Sequence, residues 1–535
     1  MPMTKHRTLL VCFLTAPFFL AGLGSTYLWT DEAQTAQLGV AVLNSGVPLT
    51  GTGADSLSAH CGEDAGWRGL HLQIPWLQAY LAAFSIGLLG KSSIAARLPF
   101  ALLGWACVPM SSWLLGLAGA RTRERILAAL LTGTSVYFLL HARQARYYAL
   151  AAFFTLAIAG AYWLYLERSR RSELWLALAM TALVLSFDPA ALGVLLGITV
   201  HSAFRIARGS GERGREFQRL VATLAAPGIA LIGWIAIAST ASSRQALDLG
   251  ARMLTKPIYY LVHLNAHVIP FLVVIPLMLL LVLRGSQWSE RMRMLAMIGC
   301  LGTGGVLLAM APPMAFGRYM IGVVPLIFCG MALMVGELAD RFRRPAVVTA
   351  IIGAFLISGV PHKISHDIAR SIAFALGFDR VEGLHPSENW RPDLVDLIGE
   401  LNDPPLGPVA AAVEHLNGYA APGEAILVTY GVPTLRFHTE LDPFGGLTCE
   451  MPAAGAPEWI WLRGPWRTHR LSVKTLEWLD EHVDLDEYET VTLDAPDRQF
   501  ENREDFHQHV FTNPGPEAPP TVLLRRTFVG SAGRE

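Results

Sequence analysis

The sequence predicts an α-helical polytopic membrane protein with a separate α/β domain at its C-terminal end. Two observations carry the first half. Of 535 residues, 52% are hydrophobic and only 16% charged, and mean hydropathy is +0.39, too apolar for a soluble globular chain. Many of the apolar stretches are about 17–23 residues long, enough to cross a hydrocarbon core as helices, and short arginine-rich breaks separate them. The second half rests on a change of composition near Pro361, beyond which charged and proline-rich chain alternates between strand and helix patterns. Net charge is −1, so no bulk attraction to nucleic acid is implied.

Taken in order, the apolar stretches run Thr8 to Gly24, Leu98 to Ala120, Ile126 to Leu140, Ala149 to Leu166, Leu174 to Phe187, Ala190 to Phe204, Leu220 to Thr240, Leu264 to Leu283, Met294 to Ala311, Tyr319 to Gly336 and Ala346 to Gly359. That is about eleven crossings. KHR near the start, RTRER from Arg121, ERSRR from Glu167, RIARGSGERGREFQR from Arg205, RGSQWSERMR from Arg284 and DRFRR from Asp340 are all basic. The positive-inside rule assigns them to the cytoplasm, and an odd number of crossings then puts the C-terminal region outside. Leu72 to Gly90 is apolar enough to cross, but counting it would send RTRER outward, so it is expected to lie on or dip into the outer face. The first span lacks a clear A-x-A site before Asp31 and is expected to be retained rather than cleaved. The domains expected are residues 1–360 in the membrane, with a first outer loop over 25–97, and an outward α/β domain over 361–535. The location is the plasma (inner) membrane, multi-pass, with the N-terminus cytoplasmic.

In the outer domain, HKISHDIARSIAFALGF reads as a juxtamembrane helix, AAVEHLNGYA as a helix, EAILVTY as a strand, then PTLRFHTEL and EWIWLRG, VKTLEWLDEHV as a helix, and YETVTLD and TVLLRRTF. About 170 residues suffice for an independent core. Cys12, Cys107, Cys300 and Cys329 fall inside spans, where a thiol is ordinary packing. Cys61 and Cys449 are the two expected on the oxidising side and are the candidate disulfide; no C-x-x-C pair exists.

The candidate chemistry begins with Asp31-Glu32, directly after the first span. Carboxylates at a membrane edge are costly and ask for a function. The bland reading makes them first-turn helix acids with Thr30 as N-cap, and both readings can hold together. His141-Ala142-Arg143-Gln144-Ala145-Arg146-Tyr147-Tyr148 supplies a cationic cluster, in which Arg143 and Arg146 share a face if the segment is helical. Arg318-Tyr319 opens a later span. The competing reading of all these residues is interfacial anchoring, by snorkelling arginines and an aromatic belt. His507 and His509 could share a strand face but lack a third metal ligand. His60 and His71 are loop residues near the proposed site, Asp188-Pro189 reads as a capped turn, and Pro227, Pro270, Pro276 and Pro325 as kinks or packing points.

The order of these features resembles the GT-C class of membrane glycosyltransferases, in particular the dolichyl-phosphate-mannose protein mannosyltransferase-like and aminoarabinose-transferase-like proteins. The residues that carry the likeness are Asp31-Glu32-Ala33, the loop ending HLQIPWLQAYLAAFSIGLLG, the run from Gly90 through Arg97-Leu98-Pro99, HARQARYYAL and GRYMIGVVP. It covers about the first 360 residues and is architectural only beyond them. The resemblance implies transfer of a sugar from a polyprenyl-phosphate donor to a lipid, glycan or protein acceptor on the outer membrane face. A leaving phosphate needs cations and an attacking hydroxyl needs a base, so one carboxylate with a cationic clamp suffices and inverts the anomeric centre. Asp31 is the expected base, Glu32 an orienting group, and Arg143, Arg146, Tyr147, Arg318 and Tyr319 the expected donor-phosphate site. The aminoarabinose-transferase pattern has a second Asp where this chain has Arg146-Tyr147, and a Lys where Gln73-Ile74-Pro75 stands. No residue is therefore assigned to a metal, and dependence on a divalent metal stays open. A transporter or flippase of lipid-linked glycans, and a non-catalytic component of envelope assembly, are the alternative classes.

Overall fold

The computed structural model describes residues 2–51, 57, 65–169, 171–207, 212–241, 252–283, 289–312, 316–375, 391–404, 406–449, 451, 455–467, 472–497 and 519–527. Its first part is a helical bundle: α1 (Pro2–Leu20), α2 (Thr30–Ser45), α3 (Leu77–Leu89), α4 (Ser93–Leu117), α5 (Thr122–Thr134), α6 (Val136–Ala142), α7 (Tyr148–Leu166), α8 (Ser172–Val184), α9 (Asp188–Ala207), α10 (Glu212–Ala241), α11 (Arg252–His267), α12 (Phe271–Leu283), α13 (Glu290–Ala309), α14 (Val324–Ala339) and α15 (Pro345–Ile357).

Among the described residues six helices are long and apolar enough to cross a membrane: α4, α7, α9, α10, α13 and the Gly317–Ala339 segment that ends as α14. Two bent pairs raise that to eight, α5 with α6 at 59° and α15 with α16 (Val360–Ala375) at 60°. Reaching eleven also requires α1, α8 and α12 to cross. Two stretches read as single spans are broken. Ser135 leaves the helical region (φ −67°, ψ 109°) and its Oγ caps the Phe138 N–H at 3.3 Å, so α5 stops and α6 starts in a new direction. The Leu264 to Leu283 stretch parts at Pro270, which cannot donate to the preceding turn, into α11 and α12. α3 packs on α2 and, at 13 residues, is about 20 Å long against a hydrocarbon core of about 30 Å.

The tightest helix pair is α9 on α13, where Gly193 and Gly197 meet Gly304 and Gly305. A Cβ on Gly304 would stand 2.3 Å from the Gly193 carbonyl oxygen, and one on Gly197 2.7 Å from that of Cys300. Small residues allow this approach, and dispersion over the contact replaces the hydrophobic drive that lipid does not supply. Gly304→Leu is expected to cost about 1–3 kcal/mol by overpacking, read as a lowered thermal midpoint in detergent. Gly299→Ala, on the open side of the same helix where a Cβ meets nothing within 4 Å, should leave that midpoint unchanged or slightly raised.

The C-terminal part carries α17 (Asp393–Asn402), α18 (Pro408–Tyr419), β1 (Ala425–Val428), α19 (Val432–His438), β2 (Asp442–Phe444), β3 (Trp459–Trp461), α20 (Val473–His482), β4 (Tyr488–Pro496) and β5 (Pro520–Arg526). The strands form one sheet in the order β2-β1-β3-β5-β4, parallel across β2, β1 and β3 and antiparallel across β3, β5 and β4. Alternation along the short strands divides the core. Ile426, Val428, Trp459 and Trp461 turn to the face covered by α18 and α19, whereas Leu427 and Ile460 turn to Phe444 and Trp478 on the α20 face. A sheet covered on both faces explains why EAILV and WIW are continuous apolar runs. Cys12, Cys107, Cys300 and Cys329 are free and Cys449 is disulfide-bonded. Cys61, His60, His507 and His509 lie outside the described residues.

Candidate active site

The candidate site lies where one end of the bundle gathers the C-terminus of α1, the N-termini of α2, α4 and α7, and the chain entering α14. Asp31 stands in the first turn of α2 with its side chain 25% exposed. Its Oδ2 is 3.3 Å from Arg146 Nη2 and 3.6 Å from Arg318 Nη1. The geometry is one partly open carboxylate between two guanidiniums, a pairing the sequence reading did not foresee. The N-cap of α2 is Trp29, not Thr30, which is the first helical residue and whose buried Oγ1 makes no hydrogen bond.

Glu32 is engaged differently. It is fully buried, Arg97 grips both of its oxygens (Nε to Oε1 2.8 Å, Nη2 to Oε2 2.6 Å), and the Ala145 N–H donates to Oε1 at 2.9 Å. Arg97 also donates to the carbonyls of Leu23, Thr26 and Tyr27 at 2.8–3.0 Å. One guanidinium thus ties the loop before α2, the first turn of α2 and, through Glu32, the loop before α7 into one unit. A bidentate fork suits this as an ammonium would not.

Arg143 and Arg146 do not share a helix face. α6 ends at Ala142, and both arginines lie in the irregular turn before α7. Arg143 points its Nη1 and Nη2 to the carbonyls of Phe18 and Ala21, both at 2.6 Å, closing the C-terminal end of α1. Arg146 instead donates to the Asp31 carbonyl (3.2 Å) and Thr35 Oγ1 (3.3 Å) as well as meeting the carboxylate. The break at Ser135 and the turn after Ala142 send neighbouring arginines to separate tasks.

Aromatic rings hold the rest. Arg318 lies 4.1 Å from the Phe316 ring centroid and 6.0 Å from those of Trp29 and Tyr319, within cation–π range. Tyr147 stacks on Phe187 at 4.0 Å, and Tyr319 stacks on the same ring at 6.1 Å. Trp29 Nε1 donates to Gln144 Oε1 at 3.3 Å. His71 is buried, with its carbonyl accepting from Trp76 Nε1 at 2.6 Å, and Asp188 opens α9.

Among the described residues no group of three or more His, Cys, Asp or Glu could hold a metal. The donor set at the site agrees, since Asp31 faces two guanidiniums and both oxygens of Glu32 are taken by Arg97. These residues do not fit a divalent cation.

The C-terminal domain reaches the site through α19, which packs on α2. His438 Nε2 accepts from the Leu28 N–H at 3.1 Å, three residues before Asp31, and its ring meets Tyr27 edge-on at 4.8 Å. Burial, then the cations Arg97 and Lys91, push the His438 pKa from 6.5 down to about 3, so the ring is neutral and able to accept. Glu440 faces Lys91 and Glu414 faces Tyr27. A histidine depressed in the folded state binds its proton more readily when released, so docking loses stability as pH falls from about 6.5 towards 3. Faster hydrogen exchange of the Leu28 amide should appear in that window and be absent from its pH dependence in His438→Gln.

Sequence reasoning did not assign roles to Arg97, His438, Trp29, Phe187 or Phe316. Arg97 could have been found, because a buried Glu demands a cation and Arg97 lies in the run entering α4. The others depend on which segments meet in space.

No family model matches the chain, and no curated protein matches it. Solved structures do. The fold is the GT-C fold of membrane glycosyltransferases. The chain is similar to ArnT from Cupriavidus metallidurans bound to undecaprenyl phosphate, with a TM-score of 0.52 and 14% identity over 100% of this chain and 99% of that one. It is similar to the same protein in its apo state, with a TM-score of 0.51 and 14% identity over 82% and 84% of the two chains. The Archaeoglobus fulgidus oligosaccharyltransferase in complex with Zn and sulfate gives 0.48 at 12% identity, over 81% of this chain and 62% of that one.

Proposed function

We propose that the protein is an inverting glycosyltransferase that moves a sugar from a polyprenyl-phosphate donor to an acceptor hydroxyl on a lipid, glycan or protein at the outer face of the plasma membrane. The observation that carries this reading is the partly exposed Asp31 carboxylate set between Arg146 and Arg318 at the end of a GT-C bundle. The ArnT structure bound to undecaprenyl phosphate supports the donor class.

Asp31 accepts the proton of the attacking hydroxyl as its oxygen bonds to the anomeric carbon and the bond to the phosphate oxygen breaks. The leaving phosphate carries away the electron pair, and its growing charge is met by the guanidiniums of Arg146 and Arg318. In the unloaded site these cations neutralise Asp31; a donor phosphate draws them to itself and leaves the carboxylate open to the acceptor. Cation–π contacts from Phe316, Trp29 and Tyr319 hold Arg318 at this position through the exchange. Tyr147, Phe187 and Tyr319 supply an apolar wall beside the phosphate for the first isoprene units. Glu32 positions both partners through Arg97 and Ala145 and touches neither substrate. Arg143 closes α1.

The test is transfer of label from radiolabelled polyprenyl-phosphate sugars by the purified protein in lipid. Absence of transfer from every such donor to lipid, glycan and peptide acceptors removes the reading. Arg318→Ala should lower turnover by about 30- to 1000-fold, corresponding to about 2–4 kcal/mol of lost charge stabilisation, with Arg146→Ala in the same range. Arg143→Ala should instead lower stability by about 1 kcal/mol with turnover per folded molecule retained. Equal turnover in all three variants would reduce the arginines to interfacial anchors.

A further inference from the structure

A second polar site lies at the other end of the bundle and serves no step of the transfer. α7 begins at Tyr148 beside Asp31 and ends at Leu166, and its 19 residues rise about 28 Å, close to the hydrocarbon thickness of a bilayer. At that far end a cavity of about 290 Å³ is lined by Tyr165, Arg168, Ser172 and Glu173 from the α7–α8 region and by Arg215 and Arg219 from α10. Glu216 also lines it but pairs with Arg205 at 3.4 Å. The guanidiniums of Arg215 and Arg219 therefore stand beside the carboxylate of Glu173 as the charges this cavity offers a ligand. Arg215 and Arg219, on the exposed face of α10, make no ion pair among the described residues.

The surface beside the cavity is apolar. Leu174, Trp175 and Leu178 of α8 and Val221 of α10 are exposed, and they continue from the cavity along the bundle side that lipid chains would cover. Trp175 is an exposed indole beside the cationic cavity, the kind of side chain enriched where acyl and headgroup regions meet. Cationic side chains that adjoin an outward-facing apolar wall match a molecule with an anionic head and hydrocarbon tails better than they match a soluble anion.

We propose that this cavity binds the phosphate headgroup of an anionic glycerophospholipid in the leaflet opposite the Asp31 site, with its acyl chains against α8 and α10. The inference does not depend on the reading of Asp31. It predicts a selective lipid that remains with the protein through purification and steadies the α7–α8 turn against α10.

The experiment is native mass spectrometry with thermal unfolding of the full chain in detergent, titrated separately with phosphatidylglycerol, phosphatidylcholine and inorganic phosphate. Saturable phosphatidylglycerol adducts that raise the unfolding temperature are expected, with no such adducts from phosphatidylcholine and no shift from phosphate alone. Arg215→Ala with Arg219→Ala should weaken phosphatidylglycerol binding about tenfold, and Arg215→Lys with Arg219→Lys should keep most of it. Both positions are exposed, so neither variant disturbs the packed core. Retention of phosphatidylcholine to the same extent, an equal shift from inorganic phosphate, or unchanged affinity in the double alanine variant would overturn the proposal.

Discussion

Asp31→Asn is expected to cut sugar transfer by about 10²–10⁴-fold while the protein still folds and inserts. The substitution keeps the side-chain shape and one carbonyl oxygen, which can go on accepting from Arg146 Nη2 and Arg318 Nη1, now 3.3 and 3.6 Å from Oδ2. It removes the one carboxylate that, among the described residues of the site, is open to an incoming hydroxyl, since Glu32 is buried and held by Arg97. A loss of that size is about 2.7–5.5 kcal/mol of barrier. The stability change should be about 1–3 kcal/mol, because Arg146, 7% exposed, loses a counter-charge but keeps its bonds to the Asp31 carbonyl and Thr35 Oγ1. The donor should bind Asp31→Asn at least as tightly as the parent, because the arginines no longer have a competing carboxylate. Wild-type turnover in this variant, or loss of turnover only through unfolding, would make Asp31 a helix-end acid. Glu32→Gln gives the contrast: it should act first on stability, since it halves the charge pairing around Arg97 without removing a group that touches substrate.

What was legible in the sequence follows from what is local. Hydropathy runs gave the bundle, and short apolar strand patterns alternating with helix patterns gave the C-terminal sheet, because burial in lipid or between helices writes itself into consecutive residues. Breaks inside those runs were less visible. Ser135 interrupts a continuous apolar stretch with a cap that depends on its backbone angles, and this 59° bend decides where Arg143 and Arg146 point. A spacing of three implies a shared face only on an unbroken helix, so the expectation of a shared face for the pair failed at the turn after Ala142. Asp31 as base, Glu32 as an orienting group and Arg146 and Arg318 as donor-phosphate residues were expectations from charge and resemblance, but the pairing of Asp31 with both arginines and the burial of Glu32 against Arg97 were not foreseen. Adjacent residues on a helix point about 100° apart, so one carboxylate faces the open site and the other the core, where Arg97 waits. The role of His438 is a matter of how α19 meets α2, which no local pattern records.

Arg97→Ala is expected to cost about 3–5 kcal/mol, the largest stability effect of any single change at the site. It leaves the Glu32 carboxylate in a fully buried position with the Ala145 N–H as its remaining donor, and removes the donors to the carbonyls of Leu23, Thr26 and Tyr27. The variant is expected to lower the thermal midpoint sharply and to lose transfer. A second change separates the two effects. Arg97→Met with Glu32→Leu replaces the pair by apolar side chains of similar reach, which is often neutral or stabilising for a buried ion pair, so most of the midpoint should return. Transfer should not return, because the segment from Leu23 to Tyr27 has lost the clamp that sets the first turn of α2, and an error of about 1 Å at Asp31 is enough to cost about 100-fold. Arg97→Lys should lie between the two, restoring a charge for Glu32 but not the fork that reaches three carbonyls as well. Recovery of transfer together with stability in the double variant would show that the Arg97–Glu32 pair holds the fold and has no part in aiming Asp31.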